Sequence, residues 1–244
     1  VDIIQMHHGQ ERKIKMNFIE ILLRGVLSLT GASFQFINPI CPGWLYYRNS
    51  KTLIEDRGTM RQDRLKWNEK YQSQNYPDEP AAIVRQYFNL AAGKNALDIA
   101  AGNGRNALFL ARQGFVVDAV DIADTGLSQF AKKHPGIHPI CADLDDFDIP
   151  ASRYDLIVNI KYLNRRLFPY IREGLAPGGV LIFETFLDSL HPAKNQPGCR
   201  DYLLRENELL HAFLSLRIVC YKEAKDEKDA DTAGLASLVA VKVR

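Results

Sequence analysis

The run Leu97-Asp98-Ile99-Ala100-Ala101-Gly102-Asn103-Gly104-Arg105-Asn106-Ala107 concentrates the residues of this chain that could do chemistry. An apolar strand, a glycine turn and the start of a helix follow in that order, the context a nucleotide-binding loop requires. Gly102 and Gly104 let the backbone approach a ligand where a side chain would collide, and Asn106 is placed to cap the helix. Taken alone, Gly-x-Gly-x-x-Ala suits a dinucleotide. Asp98 separates the alternatives. A dinucleotide sets a pyrophosphate of about two negative charges at this turn, which a carboxylate at the strand end would repel. S-adenosylmethionine brings a sulfonium and an ammonium group and no phosphate. Asp98 would attract it, by several kcal/mol at close range for an effective dielectric of about 20. Asp98 is therefore evidence for S-adenosylmethionine as the cofactor.

Asp121 closes the next strand, Phe115 to Val120. A carboxylate about 20 residues past the glycines can accept hydrogen bonds from both ribose hydroxyls. As a strand-end acid it is expected to support little packing, so an alanine there should spare the fold. Asp118 falls on the opposite face of the strand. Asp143 follows the third strand, so three acids stand at three successive strand ends. Ligands of open α/β sheets bind outside those carboxyl ends.

The elements that must position these residues alternate. Strands are expected at 95–100, 115–120, 137–142, 154–160 and 180–185, and helices at 106–113, 125–133 and 167–175. That rhythm builds a parallel sheet from βαβ units. Before it, helices are expected at 61–71 and 81–90, with Gly93 closing the second as a C-terminal cap. After it come a helix at 206–214 and two strands, 216–221 and 235–243, with no helix between them, which pair antiparallel.

Asp98 to Gly104, Asp121, Cys141-Ala142-Asp143-Leu144 and Leu175-Ala176-Pro177-Gly178-Gly179 resemble the successive motifs of class I S-adenosylmethionine-dependent methyltransferases. The resemblance covers about residues 60–244. It implies a Rossmann-like α/β fold, a seven-stranded sheet of order 3-2-1-4-5-7-6 with strand 7 antiparallel and helices on both faces. The cofactor would lie across strands one, two and four, with Asn159 at the end of strand four. Asp143 would bind the adenine amino group, and Ile122 and Leu144 would flank the ring. Ala100 stands where many members have the first glycine of the turn, which calls for a local adjustment. Trp67-Asn68-Glu69-Lys70-Tyr71, Gly104-Arg105-Asn106, Tyr162-Leu163-Asn164-Arg165 and Glu184-Thr185-Phe186 resemble the tellurite-resistance-type branch, in which the N-terminal helix closes over the cofactor. Trp67 and Tyr71 are then either a lid or plain helix packing.

Methyl transfer from a sulfonium is an in-line displacement, to which orientation alone can contribute about 7–11 kcal/mol. It requires no dedicated nucleophile or metal, and a base only where the acceptor must lose a proton. Glu184, Asn159 and Tyr162 are candidates near a small-molecule acceptor, without a catalytic assignment. Arg105 either pairs with the cofactor carboxylate or sits in solvent. Two alternatives stay open: a nicotinamide-dependent oxidoreductase, and a protein that binds S-adenosylmethionine without catalysis.

Composition narrows the setting. The chain has 244 residues, 46% hydrophobic and 25% charged, which is globular rather than disordered or coiled-coil. A formal charge of +2 argues against nucleic acid or membrane partners. Cys41, Cys141, Cys199 and Cys220 form no Cys-x-x-Cys pair and the histidines have no ligand spacing, so no metal is expected and a reducing cytoplasm is the default. Residues 25–47 carry no charge but never sustain about 20 predominantly apolar residues, and Glu20 and Arg24 oppose a signal peptide. A short amphipathic helix is possible at 17–29. The chain opens on Val1, and Met60 precedes the first strongly patterned segment. Residues 1–59 are therefore expected to be an N-terminal extension of low structure or outside the catalytic domain, and residues 60–244 the domain itself. Nothing in the sequence speaks to oligomeric state.

Overall fold

Near-continuous apolar strands signal burial on both faces, and the computed structural model shows them so placed. It describes residues 2–7, 10–15, 45–46, 57–74, 76–188, 196–224 and 234–243. The helix expected at 17–29 lies outside the described residues. Strands β1 (Asp2–His7) and β2 (Gln10–Lys15) pair antiparallel with each other. Then follow β3 (Leu45–Tyr46), α1 (Arg57–Ser73) and α2 (Ala82–Tyr87), the last continued by a 3-10 turn at Phe88–Leu90. The alternating part comprises β4 (Asn95–Ile99), α3 (Arg105–Arg112), β5 (Val116–Asp121), α4 (Asp124–Ser128), β6 (Ile137–Cys141), β7 (Tyr154–Ile160), α5 (Leu167–Gly174) and β8 (Leu175–Phe186). Helix α6 (Glu208–Ala212) precedes the terminal hairpin of β9 (Arg217–Glu223) and β10 (Leu235–Val241).

The sheet order is β3-β6-β5-β4-β7-β8-β10-β9. Counted from β4, this is the expected 3-2-1-4-5-7-6, with β10 antiparallel to both neighbours. The two-residue β3 lies parallel to β6 beyond the seven; so short a strand has no periodicity to read. Among the described residues no helix is long and apolar enough to cross a membrane.

Each face of the sheet has its own core. Leu97, Ile99, Ile157, Leu181 and Phe183 pack against Leu167, Ile171, Leu209 and Phe213 on one side. Ala96, Val117, Ala119, Val158 and Ile182 pack against Val84, Ala107 and Leu110 on the other. Strand alternation puts Asp98 with Ala96 and Asp121 with Ala119, on the face that α3 covers. Asp118 points to the opposite face, as expected, where it accepts from the Tyr154 hydroxyl at 2.9 Å and Arg153 at 3.0 Å.

Two local expectations are corrected. Gly93 is not a left-handed cap; a side chain there would overlap the Asp155 carboxylate, which accepts the Asn95 N–H. Asn106 does not cap α3. Gly104 occupies the N-cap, and the buried Asn106 Oδ1 accepts the Ala81 N–H at 3.0 Å, tying α3 to the start of α2.

Candidate functional site

The turn between β4 and α3 is built from left-handed backbone. Ala100, Gly102 and Gly104 have φ of 53°, 60° and 77°. Ala100 adopts this conformation despite its Cβ, at roughly 1–2 kcal/mol, which is the local adjustment its place in the motif calls for. Gly104 has no alternative, since a side chain there would enter the ring of Phe130, itself fully buried.

Asp121 organises the turn. Its Oδ2 accepts the Gly102 N–H and its Oδ1 the Ala123 N–H, both at 2.8 Å. The expectation that this acid supports little structure is therefore corrected: it is 6% exposed and joins two loops. Lone pairs remain on both oxygens for further donors. Burial lifts its carboxyl to about 6, against the pull of the Ala123, Gly102 and Ile122 amides.

Asp98 sits beside the same turn at 1% exposure. Burial raises its carboxyl to about 7, opposed by the nearby Arg105 charge and by the Ala107 N–H it accepts. Its Oδ2 is buried with no hydrogen-bond partner among the described residues. A buried carboxylate oxygen without a donor costs about 1–3 kcal/mol or more, and a cationic ligand removes that cost. Arg105 is half-buried, feels the charges of Asp98 and Glu184, and its Nη1 donates to the Glu79 carbonyl at 3.3 Å.

Helix α1 brings Tyr71 to this place. Arg64 Nε and Asn68 Nδ2 both donate to Asp124 Oδ1, at 3.0 and 2.7 Å, and Asn68 Oδ1 accepts the Thr125 N–H. Gln129 donates to the Tyr71 carbonyl at 3.0 Å. So fastened to α4, the helix lays Tyr71 over the glycine turn: a Cβ on Gly102 would lie 2.7 Å from its hydroxyl. Burial pushes the Tyr71 phenol up, and the Asp121 carboxylate adds to it. Trp67 stacks behind Tyr71 at 6.1 Å and Tyr76 beside it at 4.8 Å. Tyr71 thus covers the turn, while Trp67 supports it.

The remaining candidates divide. Asn159, 1% exposed, donates to the carbonyl of Tyr162 at 2.7 Å. Tyr162 is half-buried against the core that holds Phe183, and its hydroxyl accepts from Asn164 Nδ2 at 3.5 Å. Glu184 lies on the Arg105 side and accepts the Ser237 hydroxyl at 2.9 Å. In the loop after β6, Asp143 Oδ1 accepts the Asp145 N–H, Leu144 is buried in the core, and the Ile122 carbonyl faces Cys141 Sγ at 3.6 Å. The sequence reading missed Asp124 and Tyr76, and named Asn68 only within a motif without its contact to Asp124. Asp124 meets its partners from 56 and 60 residues away, and no local spacing announces that.

Residues 96–179 match a family model described as a methyltransferase domain. A ubiquinone biosynthesis O-methyltransferase of Coxiella burnetii is 30% identical over 103 residues, 38% of this chain and 44% of that protein. The chain thus spans less than half the length of the curated relatives it matches. Among solved structures, TehB from Haemophilus influenzae is similar with a TM-score of 0.52 and 20% identity, over 73% of this chain and 66% of that one. A 1,6-didemethyltoxoflavin-N1-methyltransferase from Burkholderia thailandensis has a TM-score of 0.57 and 14% identity, over 87% of this chain and all of that one. At these identities the structures show the shared fold.

Proposed function

We propose, from the premise that residues 96–179 form a class I S-adenosylmethionine-dependent methyltransferase domain, that this protein methylates a small-molecule acceptor. One observation carries the reading: the buried Asp98 carboxylate beside the glycine turn, with an oxygen that no described donor meets. That is a seat for a cation and a poor one for a pyrophosphate. Bound there, S-adenosylmethionine supplies a methyl group already activated for in-line displacement.

The chain's own residues then bind and orient. Asp98 meets the ammonium group, Arg105 the carboxylate, and Asp121 the ribose hydroxyls. Ala100, Gly102 and Gly104 provide backbone that a ligand can approach. Asp143, Ile122 and Leu144 border the adenine, with Asn159 holding the Tyr162 loop beside it. Tyr71, backed by Trp67, excludes water from above the turn, and Glu184 faces the acceptor. No base is assigned, because the acceptor decides whether a proton must leave. The similarity to relatives named for O- and N-methylation of small molecules supports a small acceptor. The scattered cysteines, with the Cys141 thiol pushed up to about 12 by burial, fit a cytoplasmic protein with reduced thiols. The proposed domain comprises residues 60–244.

Transfer of labelled methyl from S-adenosylmethionine to a panel of small oxygen, nitrogen and sulfur nucleophiles tests this. The expected result is turnover with one class, abolished by Asp98→Asn. Tight cofactor binding with no transfer to any acceptor, or to water, would instead favour a non-catalytic binding protein.

A further inference from the structure

We infer that Arg166 is a positioning residue for the adenine half of the cofactor site, acting through the loop after β6; this rests on the S-adenosylmethionine reading above. The loop that carries Asp143 and Leu144 is a tight turn. The Phe147 and Asp146 N–H groups both return to the Asp143 carbonyl, at 2.9 and 3.2 Å, and the Asp145 N–H bonds the Asp143 side chain. Two carbonyls, those of Leu144 and Phe147, turn away from this loop toward the segment after β7. A single guanidinium nitrogen, Arg166 Nη2, donates to both, at 2.8 and 2.9 Å. Asn164 reinforces the join: its Nδ2 donates to Asp145 Oδ1 at 2.7 Å, and its Oδ1 accepts the Arg166 N–H at 3.0 Å.

The guanidinium is not there for packing alone. It rests against the Tyr170 ring at 5.1 Å, and its Nε is buried with no hydrogen-bond partner among the described residues. An apolar side chain of similar length would fill that space without an orphaned donor. What arginine adds is the pair of carbonyl bonds, with the Asp148 carboxylate 4.0 Å from its Nη1; the two bonds set the distance between Leu144 and Phe147 and so the pose of Asp143. Its neighbour Arg165 faces another wall, donating to the Asp201 and Leu203 carbonyls and to Glu208. Arg165 therefore serves as the internal control.

The test compares binding of S-adenosylhomocysteine with that of S-inosylhomocysteine, in which a keto oxygen replaces the adenine amino group. The parent protein should prefer the adenine ligand. Arg166→Met should lose about tenfold for S-adenosylhomocysteine, the order of one to two hydrogen bonds, while the inosine ligand changes little, so that discrimination collapses. Arg166→Lys, which can reach one carbonyl, should fall between. Arg165→Met should lower the melting temperature and leave the ratio at the parent's value. Equal weakening of both ligands by Arg166→Met, or the same collapse in Arg165→Met, overturns the inference and makes Arg166 merely structural. A parent protein that binds neither ligand overturns the cofactor reading itself.

Discussion

To hold a cationic cofactor, as proposed, Asp98 would carry a negative charge where burial already raises its carboxyl. Its carboxyl stands at about 7 rather than the ordinary 3.8, and that of Asp121 at about 6. A carboxyl raised by folding contributes stability that is fully present below its unfolded value, near 3.8, and lost as pH rises through the folded value. The cofactor-free protein should therefore resist urea better at pH 5 than at pH 8. Binding runs the other way. Only ionised Asp98 attracts the ammonium and sulfonium charges, so affinity for S-adenosylmethionine should rise from pH 5, by up to about tenfold per pH unit for each proton released, and level off above about 7. Calorimetry in buffers of different ionisation heat reads both the affinity and the protons, and a pH-independent affinity with no proton release would refute the role of Asp98. Asp121→Ala should do more than weaken ribose binding. It orphans the Gly102 and Ala123 amides and should cost the fold about 1–3 kcal/mol, readable by urea denaturation, whereas Asp121→Asn keeps an acceptor for one of them and should cost less.

Among the elements, the glycine turn and helix α1 set the shape of the site, and they differ in how openly the sequence shows them. The turn was legible because its signal is local: strand, glycines and helix lie within Leu97 to Ala107, and the three acids follow at successive strand ends. The docking of α1 was not, since it rests on Arg64 and Asn68 reaching Asp124 from far along the chain. Asn106 shows the same limit. A short amide at a helix start suits a cap, yet here it bonds Ala81, a choice made by the packing of α2 on α3. The parallel sheet and its antiparallel edge pair were readable from the alternation of elements and the missing crossover, the order of the seven strands only from the family resemblance, while β3 was too short to see. Gly104→Ala tests the turn directly. Its φ of 77° and the Phe130 ring both oppose a methyl group, which should cost about 2–5 kcal/mol from backbone strain and overpacking together. Thermal unfolding should show a melting temperature several degrees lower, and an unchanged value would mean that the turn is looser than its geometry.

For the whole molecule, the site is assembled from parts that begin at α1 and end at β10. Every residue assigned to the cofactor or the acceptor lies at or after Trp67. A chain beginning at Met60 loses the β1–β2 hairpin, which pairs within itself, the two-residue β3 that pairs with β6, and the first three residues of α1. It should fold cooperatively, and it should bind S-adenosylmethionine within about threefold of the full chain, a difference under 1 kcal/mol. An insoluble or non-binding product would make the first 59 residues integral to the domain. In the proposed function, the buried acid beside the glycine turn selects a cationic cofactor over a pyrophosphate. Calorimetric titration of the full chain with S-adenosylmethionine and, in parallel, with a reduced nicotinamide dinucleotide tests it most directly. One-to-one binding of S-adenosylmethionine is expected, lost in Asp98→Asn, with no heat from the dinucleotide. Saturable dinucleotide binding with none of S-adenosylmethionine would contradict it.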